Sequence, residues 1–105
     1  MARYEVRWSG EANADLGFCT KAASALIKRE VPRYLADQPT PDPGREGQRK
    51  AMDTNPLEIQ YRLQLGAYRV YYNFLEDARR VDIVRVGHKS GETLYLRGKP
   101  YPMRD

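Results

Sequence analysis

The residues with the clearest chemical potential are cations with tyrosines among them. Arg62 and Arg69 stand in the most regular stretch of the chain. Between residues 85 and 104 come Arg85, Lys89, Arg97, Lys99 and Arg104 with Tyr95 and Tyr101, against one acid, Glu92. Guanidinium and ammonium groups neutralise phosphate oxygens, and phenol rings stack on unpaired bases, so this mixture suits RNA or a nucleotide. Taken singly, an arginine on the outer face of a strand is a solvated charge and a terminal tyrosine packs on its own sheet. Their concentration in one half of the chain points to a polyanion-binding surface. The whole-chain balance agrees in sign, with 18 basic against 14 acidic residues, a net charge of +4 and a pI near 9.3.

Other chemistries lack their residues. One cysteine, Cys19, excludes an internal disulfide, and with the single His88 it cannot complete a four-ligand zinc site. No GxSxG or GxxxxGK[ST] motif occurs, and Gly87-His88-Lys89-Ser90-Gly91 lacks the spacing and following helix of a phosphate loop. The carboxylates are scattered among cations, against two-metal or paired-carboxylate hydrolysis. No metal and no cofactor is expected, and His88 reads as a solvated turn residue.

The elements that must position the cations follow from periodicity. Arg3 to Trp8 alternates charged with large apolar residues, a strand with Tyr4, Val6 and Trp8 facing the core. Ser9 suits an N-cap before a short helix with Ala12 and Leu16 inward, and a second helix spans Thr20 to Asp37. Its apolar stripe is Ala23, Leu26, Ile27, Val31, Tyr34 and Leu35, and Pro32 is expected to kink or restart it. Residues 38–47 form a Pro- and Gly-rich surface connection, and Asp53 to Pro56 a turn.

From Leu57 the alternation Ile59, Tyr61, Leu63, Leu65 and then Tyr68, Val70, Tyr72, Phe74 brackets Gly66-Ala67, a hairpin with a two-residue turn. Gly at its first central position fits type II′ and pairs Leu65 with Tyr68, Gln64 with Arg69, Leu63 with Val70 and Arg62 with Tyr71. Arg62 and Arg69 then become diagonal neighbours on the face away from the core, roughly 7–8 Å apart. A turn at Glu76–Arg79, a strand over 81–86 and a short extended piece at 94–96 complete the chain. The expected fold is one α+β domain over 1–105: a small, twisted, mainly antiparallel sheet with an N-terminal helical hairpin on one face and a polar, basic second face. No apolar run is long enough for a signal peptide or a membrane span, which suggests a cytoplasmic protein.

The stretch Tyr61-Arg-Leu-Gln-Leu-Gly-Ala-Tyr-Arg-Val-Tyr-Tyr72, then Val81-Asp-Ile-Val-Arg-Val-Gly-His-Lys89 and Tyr95, resembles the RelE/ParE superfamily of bacterial toxins. Those proteins carry a hairpin reading roughly yrlRvGdYRvvY, a strand ending V.VGHR and a tyrosine several residues on. Gly47 to Met52 is similar to their basic RKL segment. The resemblance implies the same fold and a toxin of a type II toxin-antitoxin system with one of two activities. One branch cuts mRNA on the ribosome without metal, by attack of the RNA's own 2′-OH. The other poisons DNA gyrase; a catalytically silent interaction module is a further alternative.

By the same resemblance, Arg69 would contact the scissile phosphate, Arg62 and Lys89 would add positive charge, and Tyr95 would accept the 2′-OH proton or stack on a base. Gln60 departs from the nuclease branch, which can carry lysine there. Arg45, Arg49, Lys50, Arg85, Arg97 and Lys99 would contact RNA or the ribosome, and a co-encoded antitoxin would cover the toxin surface and block the basic face. The expected catalytic four, Arg62, Arg69, Lys89 and Tyr95, should share one accessible face opposite the helices.

Overall fold

The computed structural model describes residues 3–41 and 48–102. Strand β1 (Glu5–Trp8) turns Tyr4, Val6 and Trp8 toward the core and ends at Ser9. Ser9 Oγ accepts the Ala12 N–H at 3.0 Å and starts helix α1 (Gly10–Leu16), while Thr20 Oγ1 accepts the Ala23 N–H at 3.1 Å and starts α2 (Lys21–Leu35). Ala23, Ile27, Val31 and Leu35 form the buried stripe of α2. Leu26, expected in that stripe, is exposed, because one residue along a helix rotates a side chain by about 100°. The helix also runs through Pro32 without restarting. In the last turn the missing N–H removes a single bond, and Ala36 N–H still closes on Pro32 O at 2.9 Å.

The remaining strands are β2 (Arg49–Ala51), β3 (Tyr61–Leu65), β4 (Tyr68–Leu75), β5 (Arg80–Ser90), β6 (Thr93–Leu96) and β7 (Lys99–Tyr101). They lie in that order in one sheet, antiparallel throughout, and β1 adds to β5 in parallel. The β3–β4 hairpin has the register its turn dictates, Gln64 opposite Arg69 and Arg62 opposite Tyr71. Gly66 takes φ 59°, and Ala67 stays at negative φ, as type II′ requires.

Three differences from the sequence expectation matter. Strand β3 begins at Tyr61, not Leu57, because Asn55 organises the preceding residues: its Oδ1 accepts the N–H groups of Leu57 and Ile59, and its Nδ2 donates to Asp53 O and Ile59 O. Glu58 takes φ 54°, and Ile59 is thereby turned to the face opposite Leu63 and Leu65. Strand β5 continues to Ser90, so His88 is a strand residue rather than part of a turn. Strands β2 and β7 were not anticipated; three residues are too few to display a period.

The sheet therefore has two apolar faces. Against the helices lie Leu63, Leu65, Val70, Tyr72, Val81, Ile83 and Val86 with Ala12, Leu16, Ile27, Val31 and Leu35. On the other face, expected to be simply polar and basic, Ile59, Tyr71, Leu94 and Leu96 form a second cluster flanked by Met52, Leu57, Val84 and Tyr101.

Strand β5 is shared by two neighbours on one side, β1 along Arg80–Ile83 and β6 along His88–Ser90. Helix α1 fills the interval. Ser9 N–H and Oγ donate to the carbonyls of Ile83 and Val84 at 3.0 and 2.9 Å, and the Val86 N–H donates to Asp15 Oδ2 at 2.8 Å. The Asp15 carboxylate is fully buried and also accepts from Arg85 Nε and Nη2, at 2.8 and 3.0 Å, and from Arg97 Nε at 2.8 Å. A β-bulge at Val84, between the pairs Tyr72–Ile83 and Tyr71–Arg85, accompanies this junction. Arg97 adopts φ 53° in the β6–β7 turn, a conformation uncommon for a residue with a side chain, with its guanidinium tied to Asp15 and Glu11.

Two substitutions test this framework. Asp15→Asn leaves two arginines facing a neutral amide and should lower unfolding free energy by about 3–5 kcal/mol in urea titrations. Gly87 has no room for a side chain, since a Cβ would lie 2.8 Å from Leu94 Cδ1 and Leu96 Cδ2 and 3.1 Å from Tyr95 O. Gly87→Ala should cost about 1–3 kcal/mol by the same measurement.

Candidate nucleic-acid interface

Pairing decides which cations meet. Lys50 lies opposite Arg62 across β2–β3, Arg62 opposite Tyr71, and Gln64 opposite Arg69 and, beyond it, Gly87. Lys89 is two residues past Gly87 on β5 and opposite Leu94, a member of the second cluster. Since paired residues share a face and the period is two, Lys50, Arg62, Arg69 and Lys89 all lie on the sheet face away from the helices.

Their environments differ. Arg62 is 7% exposed, and its Nη1 donates to Gln64 Oε1 at 3.2 Å. Arg69 is half-buried, and its Nη1 donates to Gly66 O and Tyr68 O at 2.8 and 3.2 Å, which holds the guanidinium at the hairpin turn. Lys50 and Lys89 are half-buried, and the ring of Tyr71 is fully enclosed. Gln60, where a cation was missing from the motif, instead secures the backbone. Its Oε1 accepts the Phe74 N–H at 2.8 Å and its N–H donates to Asn73 Oδ1 at 2.6 Å.

Tyr95 is on the other face. It pairs with His88, which pairs with Tyr68, and Tyr68 packs against the helix-side core. Its strand neighbours Leu94 and Leu96 belong to the second cluster. The expected convergence of Arg62, Arg69, Lys89 and Tyr95 on one accessible face is therefore corrected in two respects: Tyr95 points away from the cations, and Arg62 is nearly buried. The reason is the pleat, which sends the residue after Leu94 to the opposite side.

Other expected RNA contacts are structural. Arg49 Nε and Nη2 donate to Gln38 O and Tyr34 O at 2.7 and 2.6 Å, with the guanidinium 5.5 Å from the Tyr34 ring centre, so it fastens β2 to the end of α2. Arg85 and Arg97 are committed to Asp15, and the hydrogen bond to that carboxylate holds Arg85 still more firmly protonated. Lys99 is exposed on β7, and Arg45 and Arg104 lie outside the described residues.

Asp15 itself is the residue that sequence reasoning missed. Its signal was an acid at helical spacing between Ala12 and Leu16, on the apolar stripe of α1. Burial, and then the charge of Asp15, push the Cys19 thiol up, while burial pushes the Tyr72 phenol well above its usual range as its hydroxyl donates to Pro39 O at 2.6 Å. Among the described residues no group of three or more His, Cys, Asp or Glu side chains could hold a metal ion, and no helix is long and apolar enough to cross a membrane.

Comparison with known proteins agrees with this architecture. Residues 6–92 match the family model of the ParE toxin of type II toxin-antitoxin systems, parDE. The chain resembles a structure of the RelBE2 toxin-antitoxin complex of Mycobacterium tuberculosis at 25% identity and a TM-score of 0.68, covering 85% of this chain and 94% of that one. A double arginine-to-alanine mutant of Escherichia coli RelE in the free state shares the fold at 16% identity, 84% coverage of both chains and a TM-score of 0.59. The intact Escherichia coli RelBE complex does so at 14% identity, 83% and 98% coverage and a TM-score of 0.56. A search of curated proteins returned no match. With the family model spanning most of the sequence and the sheet, hairpin and helix pair in the same arrangement, the chain belongs to the ParE toxin family of type II toxin-antitoxin systems.

Proposed function

We propose that this toxin cuts mRNA on the ribosome, with the basic face as the phosphate site. The observation that carries the proposal is the register that brings Lys50, Arg62, Arg69 and Lys89 to one side of the sheet. In-line attack of the 2′-OH on the adjacent phosphorus breaks the P–O5′ bond and passes through a phosphorane with added negative charge. Lys50, Arg69 and Lys89, the more accessible members, stabilise those oxygens, and the nearly buried Arg62 contributes its field. The reaction leaves a 2′,3′-cyclic phosphate and a 5′-hydroxyl, and it needs no metal. With Tyr95 on the far face, the 2′-OH proton passes to solvent or to a group that the ribosome supplies, so the toxin's share is positioning and charge. Action on the ribosome sets the protein in the cytoplasm. A co-encoded antitoxin neutralises it, by extension from the RelBE neighbours, which are toxin-antitoxin complexes.

A second function, poisoning of DNA gyrase, draws support from the burial of Arg62 and from the absence of both His88 and Tyr95 from the basic face. Transcript integrity in a translating extract distinguishes the two. Wild-type protein should yield fragments with cyclic-phosphate ends at ribosome-occupied codons. Arg69→Ala should abolish cleavage and growth inhibition while its melting temperature stays close to the parent's, because a strand-surface residue contributes about 0.5 kcal/mol or less to stability. Tyr95→Phe should cut within about twofold of wild type, whereas loss of a general base slows a reaction by about 100-fold or more. Intact mRNA together with accumulated gyrase–DNA cleavage complexes would establish gyrase as the target.

A further inference from the structure

Between the two arginines of the hairpin stands Gln64, a neutral residue that the phosphate site described above does not use. It lies opposite Arg69 across β3–β4 and two residues past Arg62 on β3, so the three side chains share the face away from the helices. Gln64 is half-buried, and its backbone N–H donates to Gln48 O at 2.7 Å. Its side-chain Oε1 accepts Arg62 Nη1 at 3.2 Å. That bond decides what the amide can offer. A guanidinium has donors only, so the amide must turn its oxygen toward Arg62 and its nitrogen away. Nε2 donates to no acceptor among the described residues, and it is not sealed from solvent. Two N–H groups are therefore open on the basic face beside Arg69. The nearly buried Arg62 also polarises the amide, because an oxygen that accepts from a cation draws electron density from its nitrogen and makes the N–H groups stronger donors.

We propose that Gln64 is a neutral phosphate-binding residue of the cleavage site, its Nε2 donating to a non-bridging oxygen of the phosphate that Arg69 contacts. The proposal rests on the RNA-cutting function inferred above and adds a residue to its site. Three features select a phosphate oxygen as the acceptor. Cross-strand partners hold their Cβ atoms about 4.5–5.5 Å apart, so one phosphate can meet both Gln64 and Arg69. With Oε1 engaged by Arg62, Gln64 can only donate, whereas its usual bidentate pairing with adenine needs an acceptor as well. Negative charge grows on the non-bridging oxygens as the 2′-OH attacks, and a preorganised N–H donor there binds more strongly in the transition state than in the ground state. A neutral donor does this without placing a third like charge between Arg62 and Arg69. The pair is thus arranged in series: the buried arginine orients the amide, and the amide reaches the substrate.

Two substitutions, compared in single-turnover cleavage of ribosome-bound mRNA, separate substrate contact from support of Arg62. Gln64→Leu removes donor and acceptor together and should slow the cleavage step by about 100-fold, the loss typical of one transition-state donor, while the toxin concentration giving half-maximal rate changes by less than about threefold. Gln64→Lys returns N–H donors without an acceptor for Arg62 and should recover the rate to within about tenfold of wild type. If Gln64 serves only to hold Arg62, the two variants fail alike, and that result overturns the proposal. Cleavage by Gln64→Leu within about twofold of wild type overturns it too. A measurement on the unaltered protein guards against misfolded variants. Nitrogen-labelled toxin is titrated with a short RNA carrying a 2′-deoxy nucleotide at the scissile position, and the Gln64 side-chain NH₂ resonances should shift equally whether adenine or guanine flanks that phosphate. A shift seen with guanine alone assigns the amide to the base and contradicts the phosphate contact. An unmoved Gln64 amide, with Arg69 and Lys89 shifted and wild-type cleavage intact, refutes this proposal and leaves the RNA-cutting function standing. Wild-type protein that leaves mRNA whole and shows no shift at Arg69 or Lys89 removes that function and this proposal with it.

Discussion

A single buried carboxylate joins the two halves of this protein. Asp15 arrives on a seven-residue helix, and its acceptor sites receive the Val86 amide, both arms of Arg85 and the Nε of Arg97. A charge removed from water costs several kcal/mol unless its partners are charged and well aligned, and here both conditions are met. The arrangement completes the side of β5 between β1 and β6, fixes the bulge at Val84 and holds the β6–β7 turn through Arg97. Strand β5 in turn carries Lys89 on one face and His88 on the other, so the placement of the basic face depends on this junction.

The sheet has no bare face, and its functional features lie at the margins of two apolar clusters. The second cluster encloses Tyr71 and most of Arg62, which leaves Arg69, Lys89 and Lys50 as the more accessible cations. A partly buried guanidinium acts mainly through its field, which is stronger near low-dielectric protein than in water. An accessible one can touch an oxygen directly. Tyr95 contributes to neither, because a strand residue serves one side only.

Much of this architecture was legible in the sequence because it is locally encoded. Ser9 and Thr20 cap the helices as their types suggest, and Gly66-Ala67 fixes the hairpin register that sets Arg62 and Arg69 on one face. What escaped the sequence was nonlocal. The helix carboxylate of Asp15 finds Arg85 and Arg97 some seventy and eighty positions later, and no spacing rule announces such a triad. Arg49, Arg85 and Arg97 look like solvated cations along the chain and prove to be internal fasteners once their partners are known. Tyr95 matches the motif by position, yet the two-residue turn at Gly91-Glu92 sets Leu94 opposite Lys89 and sends Tyr95 to the helix side. Motif spacing counts residues along the chain, whereas pairing decides faces.

The most direct test of the central claim, that the RNA phosphate seats on the basic face, is a nuclear magnetic resonance titration. The labelled toxin would be titrated with a short RNA carrying a 2′-deoxy nucleotide at the scissile position, so that it binds without being cut. Shifts concentrated at the side chains of Arg69 and Lys89 and the amides around Gly66 and Gly87, with His88 and Tyr95 side chains unmoved, are the predicted result. Shifts confined to Tyr68, His88 and Tyr95 would put the RNA on the helix side and contradict the account.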